Sequence, residues 1–231
     1  YYLSIYGARG ASPWGWHLVN LLIHTGATLL VYLVVKEALD RKWTALIAAS
    51  LFAVHPVHAE PVAWVCGAFD PLMTVFVLAA FYFYLRYRKR GDWYYLALAA
   101  GLFFGALLTK EGAIGLLVVV AYCEFFYCRN SPAFKPRAVH SAMIAGAFGL
   151  PMLVYFLMRY QAVGSLLYNS PPRNPLGPSL ATLPLIALKY LGLTLLPYGY
   201  NFQHYTALVE RVTSLACILP LLALIGVAVA I

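Results

Sequence analysis

The chain has 231 residues, of which 63% are hydrophobic and 10% are charged, and its formal net charge is +8 at pH 7. A soluble domain carries about 25% charged residues, so this composition excludes an ordinary soluble fold and predicts an integral membrane protein. The positive charge does not point to nucleic acid, because no aromatic-interleaved stripe and no recognisable nucleic-acid-binding module accompanies the cations. We therefore expect no nucleic-acid partner.

Most of the positive charge is clustered. Ten of the sixteen Lys and Arg residues form three groups, namely Lys36, Arg41 and Lys42; Arg86, Arg88, Lys89 and Arg90; and Arg129, Lys135 and Arg137. Such groups usually mark cytoplasmic loops. One membrane pass takes about 20 residues and a return takes about 40. The 44 positions from Lys42 to Arg86 and the 39 from Arg90 to Arg129 therefore predict two helical hairpins. Their turns, near residues 64 and 110, are predicted on the non-cytoplasmic side.

The apolar runs predict helices in chain order. Their expected ranges are roughly 14–35, 43–54, 61–85, 93–109, 112–128, 138–158, 180–197 and 214 onward. The third helix is predicted to break near "GAFDP", and "YQAVGSLLYNSPPRNPLGPS" after Arg159 predicts a far-side loop. Lys189 in the middle of the seventh helix favours an interfacial or re-entrant segment, which leaves the side of residues 198–212 open. We expect an all-α polytopic bundle of about eight membrane helices, forming a single transmembrane domain over 1–231.

The first far-side turn contains the segment "VHPVHAEP" at 54–61. Its first proline ends one helix and Pro61 begins the next, where its missing N–H is no loss. His55, His58 and Glu60 have three readings: a metal site, a structural network at the helix ends, or contact with a reacting or phosphorylated substrate. The spacing is not a recognised zinc signature, so we expect no metal site here. Asp70 is read either as a helix cap or as a member of the site.

The first helix carries three polar residues on one face. His17, Asn20 and His24 recur at i, i+3 and i+7. An ionisable group in lipid costs at least about 2.5–3.5 kcal/mol, so these side chains are expected to face inward. They either make hydrogen bonds between helices or line a substrate cavity.

The second turn and the predicted far loop supply further candidates. Lys110 and Glu111 are adjacent and so point in different directions, which disfavours a salt bridge between them. Lys110 is read either as a phosphate contact or as the partner of a carboxylate from the first hairpin. In the far loop, Arg159 and Arg173 are candidate phosphate contacts near Tyr168 and Asn169, although an interfacial belt of Tyr and Arg has the same composition.

Three stretches resemble a known family. "WHLVNLLIHTGATLLVYLVV", "ALIAASLFAVHPVHAEPVAWVCGAFDPL" and "LLTKEGAIGLLVVV" resemble the membrane part of the transmembrane and tetratricopeptide-repeat O-mannosyltransferases and their prokaryotic relatives. The resemblance covers roughly residues 14–130. Its most specific elements are the His-Pro-x-His-x-Glu turn at 55–60, followed by Gly67 and Asp70, and the Lys-Glu pair at 110 and 111.

The resemblance implies a GT-C fold and an enzyme that uses a polyprenyl-phosphate-linked sugar on the lumenal, periplasmic or external face. Relatives usually have a basic residue where this chain has Ala68 and Phe69, which weakens phosphate binding at that turn. The resemblance also implies catalytic acids in a first external loop that precedes "HLVNLLIH". We therefore expect the chain to be a fragment without its first helix, that loop, or any C-terminal soluble repeats.

The leading functional hypothesis is inverting transfer of a sugar from a lipid phosphate to a hydroxyl of a protein or glycan. Glu60, and after it Asp70, are the candidate bases among the residues present. Lys110, Arg159 and Arg173 are the candidate phosphate contacts, oriented by His55 and His58. The other candidate substrate-binding residues are Glu111, His17, Asn20 and His24.

Two alternatives come from other classes: a non-catalytic scaffold or assembly subunit, and a transporter of lipid-linked saccharide. Membrane lipid, the lipid-linked sugar and the acceptor are the expected partners, and a membrane complex is left open. We expect no cofactor beyond the donor substrate, with the need for a divalent metal left open. A bacterial or archaeal plasma membrane is favoured over the endoplasmic reticulum.

Overall fold

The structure, a computed structural model, describes residues 13–127, 137–164, 176–195, 206–211 and 213–230. All regular elements in these ranges are helical, which confirms the all-α class. The α-helices are α1 (Pro13–Leu39), α2 (Lys42–Val54), α3 (Ala59–Ala63), α4 (Phe69–Arg90), α5 (Trp93–Thr109), α6 (Gly115–Tyr122), α7 (Arg137–Val163), α8 (Leu176–Leu195) and α9 (Leu215–Ala230). Short 3₁₀ turns lie at Pro56–His58, Val65–Ala68 and Glu111–Ile114. A π-helical segment, Cys123–Tyr127, follows α6.

Among the described residues, four helices, α1, α4, α7 and α8, are long and apolar enough to cross a membrane. A fifth candidate is the bent pair formed by α2 and Pro56–Ala63. Within the described ranges, α5 and the Leu215–Leu224 part of α9 are shorter apolar helices. The protein is therefore an all-α, multi-pass membrane protein, and the expected number of about eight membrane helices stays a prediction.

Most helix positions agree with the sequence prediction, and one loop does not. The second and fourth predicted helices match α2 and α5 within one residue at each end, and the break near "GAFDP" is the 3₁₀ turn before α4. The predicted loop after Arg159 is wrong at both ends, because α7 continues to Val163 and α8 begins at Leu176. Residues 160–163 contain no Gly or Pro, and Gly164, with φ of 75°, is the first residue that favours leaving the helix.

The described residues group into two compact units. The first unit comprises residues 13–54 and 58–164. Its core is aromatic and aliphatic, with Tyr84, Phe103 and Leu107 almost completely buried. Phe148 of α7 packs edge-on against Phe103, with 5.3 Å between ring centroids. This apolar core fills the middle of the first unit.

The second unit contains residues 55–57 together with the described parts of 176–230. The hydroxyl of Thr182 accepts a 2.9 Å hydrogen bond from the Val209 N–H beside this unit's small apolar core. The His55 ring has partners at both nitrogens: Nδ1 accepts from the Val57 N–H at 3.2 Å, and Nε2 lies 2.9 Å from the Thr194 carbonyl oxygen. These contacts fit the second of its three readings, a structural network at the helix ends.

Charged residues mark the two ends of the first unit. One end, here called the cationic end, comprises residues 36–42, 86–92 and Glu124. There Glu37 pairs with Arg86 at 3.6 Å and with Lys89 at 3.4 Å, joining α1 to α4. The other end, here called the turn end, comprises residues 58–70, 110–114 and Arg159. Helix α4 has 22 residues and is about 33 Å long, which matches the roughly 30 Å hydrocarbon core. Helix α4 begins at the turn end and finishes at the cationic end, so the two ends are about one hydrocarbon-core thickness apart.

Candidate functional site

The turn end brings Lys110 and Asp70 into an ion pair. Lys110 follows the last residue of α5 in an extended backbone conformation, and Asp70 lies in the first turn of α4. The N-cap of α4 is Ala68, so the side chain of Asp70 does not cap the helix. Both side chains are about half exposed, at 49% and 47%. Lys110 thus pairs with a carboxylate of the first hairpin, one of its two predicted roles.

Glu111 has a different partner from its neighbour Lys110, as the sequence predicts. It opens the 3₁₀ turn after α5 and pairs with Arg159 of α7. Arg159 Nη1 also donates to the hydroxyl of Tyr155 at 3.2 Å, and Arg159 Nε is buried without a hydrogen-bond partner. Arg159 therefore belongs to a helix that packs at the turn end, rather than to a loop.

A pocket of about 120 Å³ opens beside the first ion pair. Its lining includes His24, Phe52, His58, Pro61, Asp70 and Thr74. The His58 ring lies 4.2 Å from the Phe52 ring and 5.3 Å from the His24 ring, measured between centroids. His24 Nε2 is 3.1 Å from the Ala53 carbonyl oxygen, which orients the imidazole. The pocket combines aromatic walls with a carboxylate and a hydroxyl.

Asn20 holds the first turn against α1. Its side chain is completely buried, and Nδ2 lies 3.2 Å from the Val62 carbonyl oxygen and 3.3 Å from that of Trp64. These are hydrogen bonds between elements, which is the structural reading of the predicted polar face. The inward orientation expected of this face is seen for Asn20 and for His24, which lines the pocket. It is not seen for His17, which is exposed.

The remaining candidates lie elsewhere. Glu60 is in the first turn of α3 and is not among the residues that line the pocket. His55 belongs to the network of the second unit. Arg173, Tyr168 and Asn169 lie outside the described residues. The structure therefore brings His24, His58 and Asp70 together around the pocket, and Lys110 is the ion-pair partner of Asp70.

The described residues give no support to a metal centre at the first turn. Within these ranges, no group of three or more His, Cys, Asp or Glu side chains is placed to hold a metal ion. Both ring nitrogens of His55 have partners, so His55 is not poised to act as a ligand beside His58 and Glu60.

Sequence reasoning did not single out Thr74 or Phe52, which are among the residues that line the pocket. Thr74 lies four residues after Asp70 in α4, and its hydroxyl donates to the Asp70 carbonyl oxygen at 2.8 Å. The i, i+4 spacing is a signal for Thr74, because such residues share one helix face. Phe52 gave no such signal, since it looks like any apolar residue of a membrane helix.

Comparison with known proteins shows what the chain resembles. It is 41% identical to the Drosophila melanogaster protein O-mannosyl-transferase Tmtc1 over 119 residues, which are 52% of this chain and 14% of that protein. It is 40% identical to the fly Tmtc2 over 146 residues, which are 60% of the chain and 15% of that protein. It is 35% identical to human TMTC3 over 121 residues, which are 51% of the chain and 13% of that protein. The chain thus spans about one seventh of these relatives, and no solved structure matches it.

These relatives come from animals, so they lend no support to the expected bacterial or archaeal plasma membrane. The family model described as dolichyl-phosphate-mannose-protein mannosyltransferase matches residues 5–158, more than half of the chain. On that match, the chain belongs to the dolichyl-phosphate-mannose-protein mannosyltransferase family.

Proposed function

We propose that this chain is part of a membrane glycosyltransferase that moves mannose from a polyprenyl-phosphate carrier to a hydroxyl group of a protein. Family membership supports the reaction class, and the names of the relatives, protein O-mannosyl-transferases, support mannose and a protein acceptor. The reaction forms a bond between the acceptor oxygen and the sugar's anomeric carbon. It breaks the bond from that carbon to the phosphate, which leaves on the lipid.

The observation that carries the proposal is the presence of two cations, Lys110 and Arg159, at the same end of the first unit as the pocket lined by Asp70. The departing lipid phosphate needs positive charge, and Lys110 and Arg159 supply it at the same end of the first unit. Their partners Asp70 and Glu111 neutralise them before the donor binds. Exposed ion pairs contribute only about 0–1 kcal/mol, so a phosphate can displace a carboxylate from a half-exposed lysine at little cost.

The pocket distinguishes between the two candidate bases. Asp70 lines it, together with the rings of His24 and Phe52, whereas Glu60 does not. We therefore assign to Asp70, among the residues of this chain, the acceptance of the proton from the acceptor hydroxyl. Release of Lys110 to the donor phosphate leaves this carboxylate available for that step.

The charge distribution also supports one side of the membrane for the proposed reaction. The cationic end carries seven Lys and Arg residues and four carboxylates, an excess typical of a cytoplasmic surface. We place the turn end at the other surface, about one helix length away. The proposed transfer therefore takes place on the non-cytoplasmic face.

A matched pair of variants tests whether Asp70, rather than Glu60, is the general base. In the full-length protein, Asp70→Asn is expected to lower mannose transfer from purified dolichyl-phosphate mannose to a serine- or threonine-containing peptide by about 100-fold or more. Glu60→Gln, the matched carboxylate-to-amide control in the same turn region, is expected to retain most of the rate. Retention of the rate by Asp70→Asn, or an equal loss in Glu60→Gln, would contradict the assignment.

One observation favours the scaffold alternative. Lys110 and Arg159 are both paired with carboxylates of this same chain, so their charges are neutralised without a bound substrate. A scaffold predicts that purified full-length protein binds no donor and that Asp70→Asn lowers only its melting temperature. The enzyme is supported if the purified protein transfers mannose and if Asp70→Asn abolishes that transfer without changing the melting temperature.

A further inference from the structure

At the cationic end, two arginines converge on one phenol. Arg86 Nη2 and Arg90 Nη1 each lie 3.2 Å from the hydroxyl oxygen of Tyr95. Both guanidinium groups also lie near the Tyr95 ring, at 5.3 and 5.9 Å from its centroid. The side chain of Tyr95 is largely buried, so the phenol fixes the two cations side by side.

The carboxylates nearby do not balance these cations. Glu37 is shared between Arg86 and Lys89, and Glu124 is taken by Arg88 at 3.1 Å. Within the described part of the chain, no carboxylate pairs with Arg90. Like charges held this close repel one another, and an anion placed between Arg86 and Arg90 would remove that repulsion.

The Arg86 guanidinium is itself incompletely satisfied. Nη1 donates to Tyr82 and Nη2 to Tyr95, but Nε is buried without a hydrogen-bond partner. The Arg90 side chain, in contrast, is exposed at the end of α4, just before the left-handed Gly91. The cluster thus has an anchored cation and an accessible one.

The surroundings place the cluster at the level of lipid headgroups. Trp93, the first residue of α5, is 71% exposed and Tyr94 is 43% exposed. Trp43, at the start of α2, is 73% exposed. Exposed Trp and Tyr at helix ends beside cations are typical of the membrane–water interface. A phosphate that reaches Arg90 from the side is therefore one carried by a membrane lipid.

We propose that Arg86, Lys89, Arg90 and Tyr95 form a binding site for the phosphate of an anionic phospholipid in the leaflet at the cationic end. The site is at the opposite end of the first unit from the mannosyl-transfer site, and its occupancy does not depend on that activity. Arginine suits the ligand because its planar group donates paired hydrogen bonds to phosphate.

The test compares lipids and variants in the full-length protein. Protein reconstituted in phosphatidylcholine nanodiscs is compared with protein in nanodiscs that also contain phosphatidylserine, and retained lipids are counted by native mass spectrometry. We expect phosphatidylserine to be retained preferentially and Arg90→Gln to weaken that retention about fivefold, the effect of one cation at an anionic surface. Lys42→Gln, which removes an exposed cation of the same end that is not a member of the cluster, is expected to leave it unchanged.

Three results would overturn the proposal. The first is equal retention of the two lipids by the wild-type protein. The second is an equal loss in Arg90→Gln and Lys42→Gln, which would indicate diffuse attraction by net charge. The third is full displacement of phosphatidylserine by inorganic phosphate at matched concentration, which would indicate a site for a small anion. Tyr95→Phe serves as a second variant, because it removes the shared hydroxyl without changing charge and should weaken retention if the phenol positions both arginines.

Discussion

The ammonium group of Lys110 pairs with the carboxylate of Asp70 and so connects the end of α5 to the first turn of α4. Forty positions separate the two residues in the sequence, and the tight turn between α4 and α5 brings them to one end of the first unit. The pair places a cation and a pocket-lining carboxylate together at the site proposed for mannose transfer.

Lys110→Ala is expected to reduce mannose transfer about 100-fold, the usual cost of removing one preorganised group that stabilises developing charge. The unfolding free energy should change by less than about 1 kcal/mol, because the ion pair is half exposed. Transfer from purified donor and the melting temperature are the two measurements. Lys110→Arg should recover part of the rate. An unchanged rate in Lys110→Ala would remove this residue from the site.

Gly67→Ala is expected to destabilise the turn that contains Pro61 and Gly67 at the turn end of the first unit. A Cβ at this position would lie 3.1 Å from the Pro61 Cα and 3.3 Å from the Pro61 carbonyl oxygen, which are backbone atoms and cannot rotate away. Gly101 of α5 has no atom within 4 Å of a built Cβ, so Gly101→Ala should stabilise the helix by about 0.5–1 kcal/mol. A lower melting temperature for Gly67→Ala with a higher one for Gly101→Ala would confirm the close approach of Gly67 to the Pro61 backbone. Similar shifts in the two variants would contradict it.

Asn20→Ala should lower the unfolding free energy by about 1–3 kcal/mol, because the carbonyl oxygens of Val62 and Trp64 lose a buried donor. Leu22→Ala is the control on the same helix, since that side chain is 60% exposed. Thermal unfolding in detergent measures both. A loss no larger than that of Leu22→Ala would show that the amide does not hold the turn.

Glu124→Gln should destabilise the first unit by about 3 kcal/mol, because Arg88, only 8% exposed, would lose its ion pair with Glu124. The Tyr84 hydroxyl, which donates to Glu124, would also lose a charged acceptor. The double variant with Arg88→Gln is expected to be more stable than the sum of the single losses predicts. Strict additivity would argue against a coupled pair.

Cysteine labelling tests the proposed side of each end. In a background with the four native cysteines replaced by alanine, Glu60→Cys and Asp92→Cys are treated with a membrane-impermeant thiol reagent in sealed vesicles. The proposal expects reaction at one position only, with the other reacting after permeabilisation. Reaction of both from the same side would contradict the opposite placement of the turn end and the cationic end.

The fold was largely predictable where local signals agree. Helix α5 starts after "GD" and ends at a charged pair, and α2 starts at the second of two adjacent cations and ends two residues before a proline. These boundaries depend on residues close in sequence. The end of α7 was not predictable in the same way. The loop was expected to begin directly after Arg159, whereas the residues rich in Pro, Gly, Ser and Asn begin only at Gly164.

The site was predictable as a list of residues but not as a set of contacts. Spacing predicted that His24 faces inward and that Lys110 and Glu111 diverge. It did not predict that Asn20 binds carbonyl groups more than forty positions away or that Asp70, rather than Glu60, lines the pocket. Those outcomes depend on how α1, α3 and α4 pack together, which no local pattern specifies.

The π-helical segment Cys123–Tyr127 has a consequence for insertions and deletions. A π turn accommodates an additional residue within a helix, and Glu124 reaches Arg88 and Tyr84 from inside this segment. Each residue of an α-helix advances the side-chain direction by about 100°. Shortening α6 by a single residue would therefore turn the carboxylate away from Arg88 even though every amino acid involved in the contact is still present. This part of the chain should therefore be sensitive to changes in length.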